Sequence, residues 1–306
     1  MAINGKMTKF GKKQEVMTLY EAILTAADPS QVPGLSRFFK TGPGQYGEGD
    51  KFLGIKVPVT REIVGRCWRQ LTVRGGQDGQ LAPEHFVDWA ELERCVTSEY
   101  HELRLAGLLA LVEIFRHAKK ARRGAPVAES AMLQKSCIDF YLAHTAYINN
   151  WDLVDLSCYP LLGQWLLDRD RGLLYRLARS GKTIWEQRIG IVSTMTFIRN
   201  GQLQDTFRIA DILLHHPHDL IHKAVGWLLR EAGKRDQAAL EEWLRGAPES
   251  KAPESTSPES TSPDAKVAGT MAPESQVPRY RQMPRTMLRY AIEKFPEALR
   301  QEYLHP

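Results

Sequence analysis

Four side chains of this 306-residue chain are of types, and in local settings, that could do chemistry: Trp151, Asp155, Arg188 and Trp227. In "YINNWDLVDLSCYPLL" (147–162), Trp151 and Asp155 are four apart. On a helix they stack one turn above the other, and Tyr159 continues the column. Asp155 then sits between two rings, at the edge of an apolar stripe of Val154, Cys158, Leu161 and Trp165. Partial burial and aromatic neighbours tune a carboxylate there, although a capping or salt-bridged residue is the plainer reading. Asp152 points away from Trp151 and suits the positive first turn. In "IWEQRIGIVSTMTFIRN", Arg188 shares a face with Ile184, Ile191, Val192 and Met195. A guanidinium on an apolar stripe needs an acidic partner or an anionic ligand, and Asp155 is a candidate. In "DLIHKAVGWLLREAGK", Ile221, Val225, Leu228, Leu229 and Ala232 form the core stripe. Trp227 lies opposite it, in a column with Lys223, Arg230 and Lys234. Such a column can neutralise phosphate beside a ring that meets a base or sugar, or it can pack on a second helical layer.

The elements that must position these residues read as helix after helix. Apolar residues recur three and four apart in "KKQEVMTLYEAILTAA", "TREIVGRCWRQL", "PEHFVDWAELERCV", "EYHELRLAGLLALVEIFRHAKK", "ESAMLQKSCIDFYLAH" and "WDLVDLSCYPLLGQWLLD". The pattern continues through "RGLLYRLARS", the Arg188 and Trp227 segments, "DTFRIADILLHH", "ALEEWLR" and "PRTMLRYAIEKF", and no strong strand interrupts it. Pro58 and Pro83 mark starts, Asn149 or Asn150 a cap, and Gly181 and Gly201 ends. Pro160 cannot donate to the Leu156 carbonyl, so a kink is predicted there. Many helices with short connections predict an all-α chain of antiparallel pairs stacked as an α-solenoid, whose concave face is free to bind something extended.

The chain is 43% hydrophobic and 25% charged, enough for a sizeable core. It has no run of eighteen apolar residues and no apolar signal segment near its start, so a cytoplasmic protein without a membrane partner is expected. Cys67, Cys95, Cys137 and Cys158 form no close pair and fall in apolar helical patterns, as small buried hydrophobes do. Residues 246–278 repeat a Pro-Glu-Ser unit with almost no large apolar residue, which predicts a disordered linker, with a partner-docking or turnover tail as the alternative. The net charge is +5; without that segment's two basic and five acidic residues, 39 basic residues face 31 acidic ones, a balance that favours a polyanionic partner.

Taken in order, "GDKFLGIKVP", "NNWDLVD", "WEQRIGIV" and "HKAVGWLLRE" resemble the AlkD-type DNA alkylation repair glycosylases, over most of Tyr46 to Trp243 and again at "MPRTMLRYAIEKF". The resemblance implies a right-handed solenoid of HEAT-like helix pairs with a concave basic groove for double-stranded DNA. It implies a glycosylase domain at 1–245, the linker as an insertion at 246–278, and C-terminal helices at 279–306 completing the solenoid. It further implies a monofunctional glycosylase that excises cationic N3- and N7-alkylated purines without flipping the base, acting as a monomer without metal or organic cofactor. Carried onto this chain, Asp155 matches the catalytic aspartate, and Trp151 and Trp227 match the paired tryptophans. Arg188 and Arg230 match basic groove positions, with Lys223 and Lys234 beside them, and Tyr46 matches an aromatic that touches DNA. The Pro-Glu-Ser segment departs from the compact family pattern.

Other sites are weaker. "HHPHDLIH" brings His215, His216, His218 and His222 close, without a third ligand type at metal-site spacing, and reads as a solvated helix end. "GPGQYGEGDKFLG" matches no nucleotide-binding loop. Two rival functions share the fold: a homologue that binds DNA structure without excision, and a protein-binding helical scaffold.

Overall fold

The computed structural model describes residues 17–72, 87–120, 127–246 and 277–305, and packing divides the chain into two units, Met1–Leu133 and Gln134–Pro306. The linker expected at 246–278 lies outside the described residues except at its ends.

The first unit holds α1 (Leu19–Thr25), α2 (Val32–Phe38), α3 (Val57–Cys67), α4 (Trp89–Val96) and α5 (His101–Lys120); the division falls within α6 (Val127–Ala143). Thr18 and Glu21 form a capping box on α1, the Thr18 hydroxyl accepting from Glu21 N at 3.2 Å and the Glu21 carboxylate from Thr18 N at 3.0 Å. α5 is buried on every side from His101 to Val112, as expected of a helix apolar nearly all round, and α3 and α4 pack against it. The "GDKFLGIKVP" segment has a structural explanation. The buried Glu102 carboxylate accepts from the backbone N–H groups of Leu53, Gly54 and Ile55 at 2.9, 2.9 and 3.1 Å. Asp50 accepts from Arg104 at 2.5 Å. Gly54 is at φ +91°, and a Cβ there would lie 1.8 Å from the Asp28 carbonyl oxygen, so only glycine fits. Tyr46 is half-buried in the turns just before this clamp.

The second unit continues with α7 (Trp151–Cys158), α8 (Gly172–Ser180), α9 (Ile184–Val192), α10 (Met195–Arg199), α11 (Gln204–Ile212), α12 (Asp219–Gly233) and α13 (Gln237–Arg245). After the segment that is not described come α14 (Arg279–Gln282), α15 (Arg285–Ala291) and α16 (Glu297–Leu304). The C-terminal helices belong to this same unit: α15 packs along α12, which also packs against α9. The fold is all-α, helix pairs stacked in the manner of an α-solenoid, with no strand among the described residues beyond two isolated bridges. The predicted core stripe of α12 is fully buried.

Three local expectations change. The run from Ile184 to Asn200 is two helices, because the chain breaks at Ser193 and Thr194, where the Thr194 hydroxyl donates back to the Ile191 carbonyl at 2.7 Å. Pro160 produces a π-helical turn over Tyr159–Gly163 rather than a simple kink. That turn shifts the helical phase, so Trp165 leaves the core stripe and is half-buried with the Arg169 guanidinium 3.8 Å over its ring, while Leu162 and Leu166 are buried instead. All four cysteines are buried and unpaired, and burial pushes the Cys137 thiol up to about 12. Among the described residues no helix is long and apolar enough to cross a membrane.

Gly226 fixes the α12 and α15 spacing: a Cβ there would lie 2.5 Å from the Met287 carbonyl oxygen and 2.5 Å from the Tyr290 Cβ. Gly226→Ala is therefore expected to cost about 1–3 kcal/mol, the usual penalty of overpacking. A denaturant melt with an unchanged midpoint would show that the two helices separate freely.

Candidate active site

The site is built on α7, α9 and α12, all in the second unit. The buried Asn150 side chain caps α7, accepting from Trp151 N at 2.9 Å, and fixes where the first turn begins. Asp155 follows one turn after Trp151, and both are half-buried, at the helix edge as their spacing predicts. Thr183 caps α9 by accepting from Glu186 N at 3.2 Å, and Glu186 accepts from the Thr145 hydroxyl at 3.0 Å, tying the approach to α7 onto α9. Beyond the π turn, the Thr196 hydroxyl donates to the Tyr159 carbonyl at 2.7 Å. α7 is thus held near both ends, and its edge residues cannot rotate without breaking these bonds.

Arg188 completes the centre. Its Nε donates to Asp155 Oδ1 at 2.8 Å, its Nη2 to Asp155 Oδ2 at 2.7 Å, and its Nη1 to the Leu220 carbonyl at 2.6 Å in the first turn of α12. Three hydrogen bonds from one planar group join three helices. The Arg188 side chain is 7% exposed and that of Asp155 15%, so the carboxylate is nearly enclosed yet still reachable from solvent. Burial raises the Asp155 carboxyl above its ordinary value; Arg188 opposes the rise by charge and hydrogen bonding, and Asp152 adds to it. Of the two partners foreseen for Arg188, an acid or an anion, the structure shows the acid.

The cations grouped with Trp227 are arranged otherwise than expected. Arg230 does not stand ready for an anion: its side chain is only 18% exposed, and its guanidinium pairs with Glu293 beyond α15 and lies 3.5 Å from Glu231. Lys223 pairs with Asp219 at 2.6 Å, and Lys234 with Glu231 at 2.7 Å. Trp227 itself is half-buried and lines an open cavity of about 480 Å³ with Arg199, Lys234, Arg235 and Glu231. Sequence reasoning missed Arg199 and Arg235, both exposed. Arg199 carries a local signal, since it follows the break at Ser193 and Thr194 on a short helix of its own, where its guanidinium lies 4.8 Å over the Tyr159 ring. Tyr46 belongs to the first unit.

The histidines build the entry to α12 instead of lying solvated at its end. His218 is the N-cap, its Nδ1 accepting from Leu220 N at 3.1 Å, and His216 Nε2 lies 2.9 Å from Gln187 Oε1 on α9. Burial lowers the affinity of both rings for a proton. Among the described residues no group of three His, Cys, Asp or Glu side chains could hold a metal ion.

Residues 19–295 match the family model described as DNA alkylation repair enzyme. A solved structure of a predicted DNA alkylation repair enzyme from Enterococcus faecalis shares the fold, with a TM-score of 0.51 and 15% identity over 71% of this chain and 87% of that one. No curated protein matches the chain significantly. With the family model spanning both units and the same helical fold in a solved relative, the chain belongs to the DNA alkylation repair enzyme family.

Proposed function

We propose that this chain is a monofunctional DNA glycosylase that hydrolyses the N-glycosidic bond of cationic N3- and N7-alkylated purines in double-stranded DNA. The observation that carries the reading is the Asp155 carboxylate, nearly buried, oriented through both oxygens by one guanidinium, and open to solvent one turn from Trp151. An N3- or N7-alkylated purine is already cationic, so it departs neutral, taking the bonding electron pair, and needs no general acid. Positive charge grows instead on the deoxyribose. A fixed carboxylate stabilises that charge and orients the water that bonds to C1′ and releases a proton. The faces of Trp151 and Trp227 attract cations, and Lys223 and Lys234 can exchange their surface carboxylate partners for phosphate. The chemistry needs no metal, organic cofactor or amine nucleophile, and one chain suffices for it.

The test is release of 3-methyladenine and 7-methylguanine from methylated duplex DNA; a wild-type chain that frees neither base overturns the proposal. The raised Asp155 carboxyl adds a pH signature. Base release requires the ionised form, so the single-turnover rate falls as pH drops through a value above the ordinary aspartate value of 3.8. A rate that stays flat down to that ordinary value would contradict the role. A second reading follows from the same ion pair. As a strut joining α7, α9 and α12 it would also serve a homologue that binds DNA without cutting, and then the wild type binds duplex and releases nothing.

A further inference from the structure

Arg199 and Arg235 are the cations of the Trp227 cavity that have no carboxylate partner among the described residues. The one acid lining it, Glu231, is already met by Lys234 at 2.7 Å and by Arg230 at 3.5 Å. Arg230, one of the cations that the sequence offered for phosphate, is turned to Glu293 instead. Arg199 also touches the turn that follows the Asp155 helix: its guanidinium lies 4.8 Å over the ring of Tyr159, and the Tyr159 carbonyl accepts from Thr196 on the same short helix as Arg199. A half-buried indole beside two uncompensated guanidinium groups, in a cavity that Met195 also lines, offers an apolar face to a sugar and forked donors to an oxyanion.

We propose that Arg199 and Arg235 form a phosphodiester clamp beside Trp227, gripping the DNA backbone next to the nucleotide presented to Asp155. The proposal rests on the glycosylase reading. The clamp fixes the strand relative to the carboxylate, and Arg230 holds the cavity wall through Glu231 and Glu293.

The measurement is equilibrium binding of the full chain to an unmodified duplex across a salt series. Each phosphate contact contributes about 0.9 to the slope of log K against log salt, so Arg199→Ala with Arg235→Ala is expected to lower that slope by about 1.8. Both residues are exposed, and a thermal melt equal to wild type identifies the loss as one of binding. Arg230→Ala is expected to change the slope much less. An unchanged slope in the double variant, or an equal loss in Arg230→Ala, overturns the clamp while leaving the glycosylase reading intact. A wild-type chain that binds no duplex removes both. Inorganic phosphate, added against chloride at matched ionic strength, is expected not to displace the duplex; displacement at low millimolar phosphate would assign the cavity to a small free anion and overturn the phosphodiester.

Discussion

Asp155→Asn is expected to lower single-turnover release of 3-methyladenine by about 10²–10³-fold or more, the usual consequence of removing one preorganised electrostatic stabiliser, with duplex affinity nearly unchanged. The substitution keeps the size of the side chain and one acceptor oxygen, so the Arg188 Nε or Nη2 bond survives while the negative charge does not. Single-turnover conditions separate the chemical step from binding and product release. The variant also leaves the Arg188 charge without its counterion, at a cost of up to about 3 kcal/mol for the lost charged hydrogen bond. Arg188 still donates to the Leu220 carbonyl, so the three-helix junction is loosened rather than opened. A folded Asp155→Asn chain that excises at the wild-type rate would end the assignment of this carboxylate; equal loss of binding and release would make it a scaffold residue.

The face of each helix was legible because one period fixes it. The spacing of Trp151 and Asp155, the core stripe of α12, and the need of Arg188 for an acid or an anion all follow from counting along single helices; Asp155 was a candidate for that partner, and the structure shows the pair. Partners distant in sequence were not legible. Arg230 meets Glu293, 63 residues away, and Glu102 meets three backbone N–H groups nearly fifty residues earlier, so nothing in the local pattern distinguishes a committed cation from an available one. Counting also fails where the period changes: past Pro160 the π turn moved Trp165 out of its stripe, and past Ser193 and Thr194 a new helix carried Arg199 to the cavity. α2 escaped because Pro33 and Gly34 weaken its propensity.

Arg188→Ala is expected to be the most damaging single change, since it removes three hydrogen bonds and leaves a nearly buried carboxylate alone. Breaking such a pair from one side costs about 3–5 kcal/mol, enough to lower the melting midpoint of the whole second unit. The penalty has a direction in pH. Burial raises the Asp155 carboxyl, and Arg188 is the group that opposes it, so deleting the guanidinium lifts the folded-state value further. The folded chain then binds a proton that the unfolded chain has already released, and stability falls as pH rises through the window between the unfolded and the raised folded values. Arg188→Ala should therefore be closest to wild type in acid and weakest at neutral pH, with the acid limb of any residual base release displaced upward. Arg188→Lys supplies the control: one ammonium keeps the charge, restores most of the carboxyl's ionisation, and cannot reach both carboxylate oxygens and the Leu220 carbonyl at once. Melts of the three proteins across pH would decide the matter, because a deficit in Arg188→Ala independent of pH would show that packing, and not the stranded charge, is what the arginine supplies.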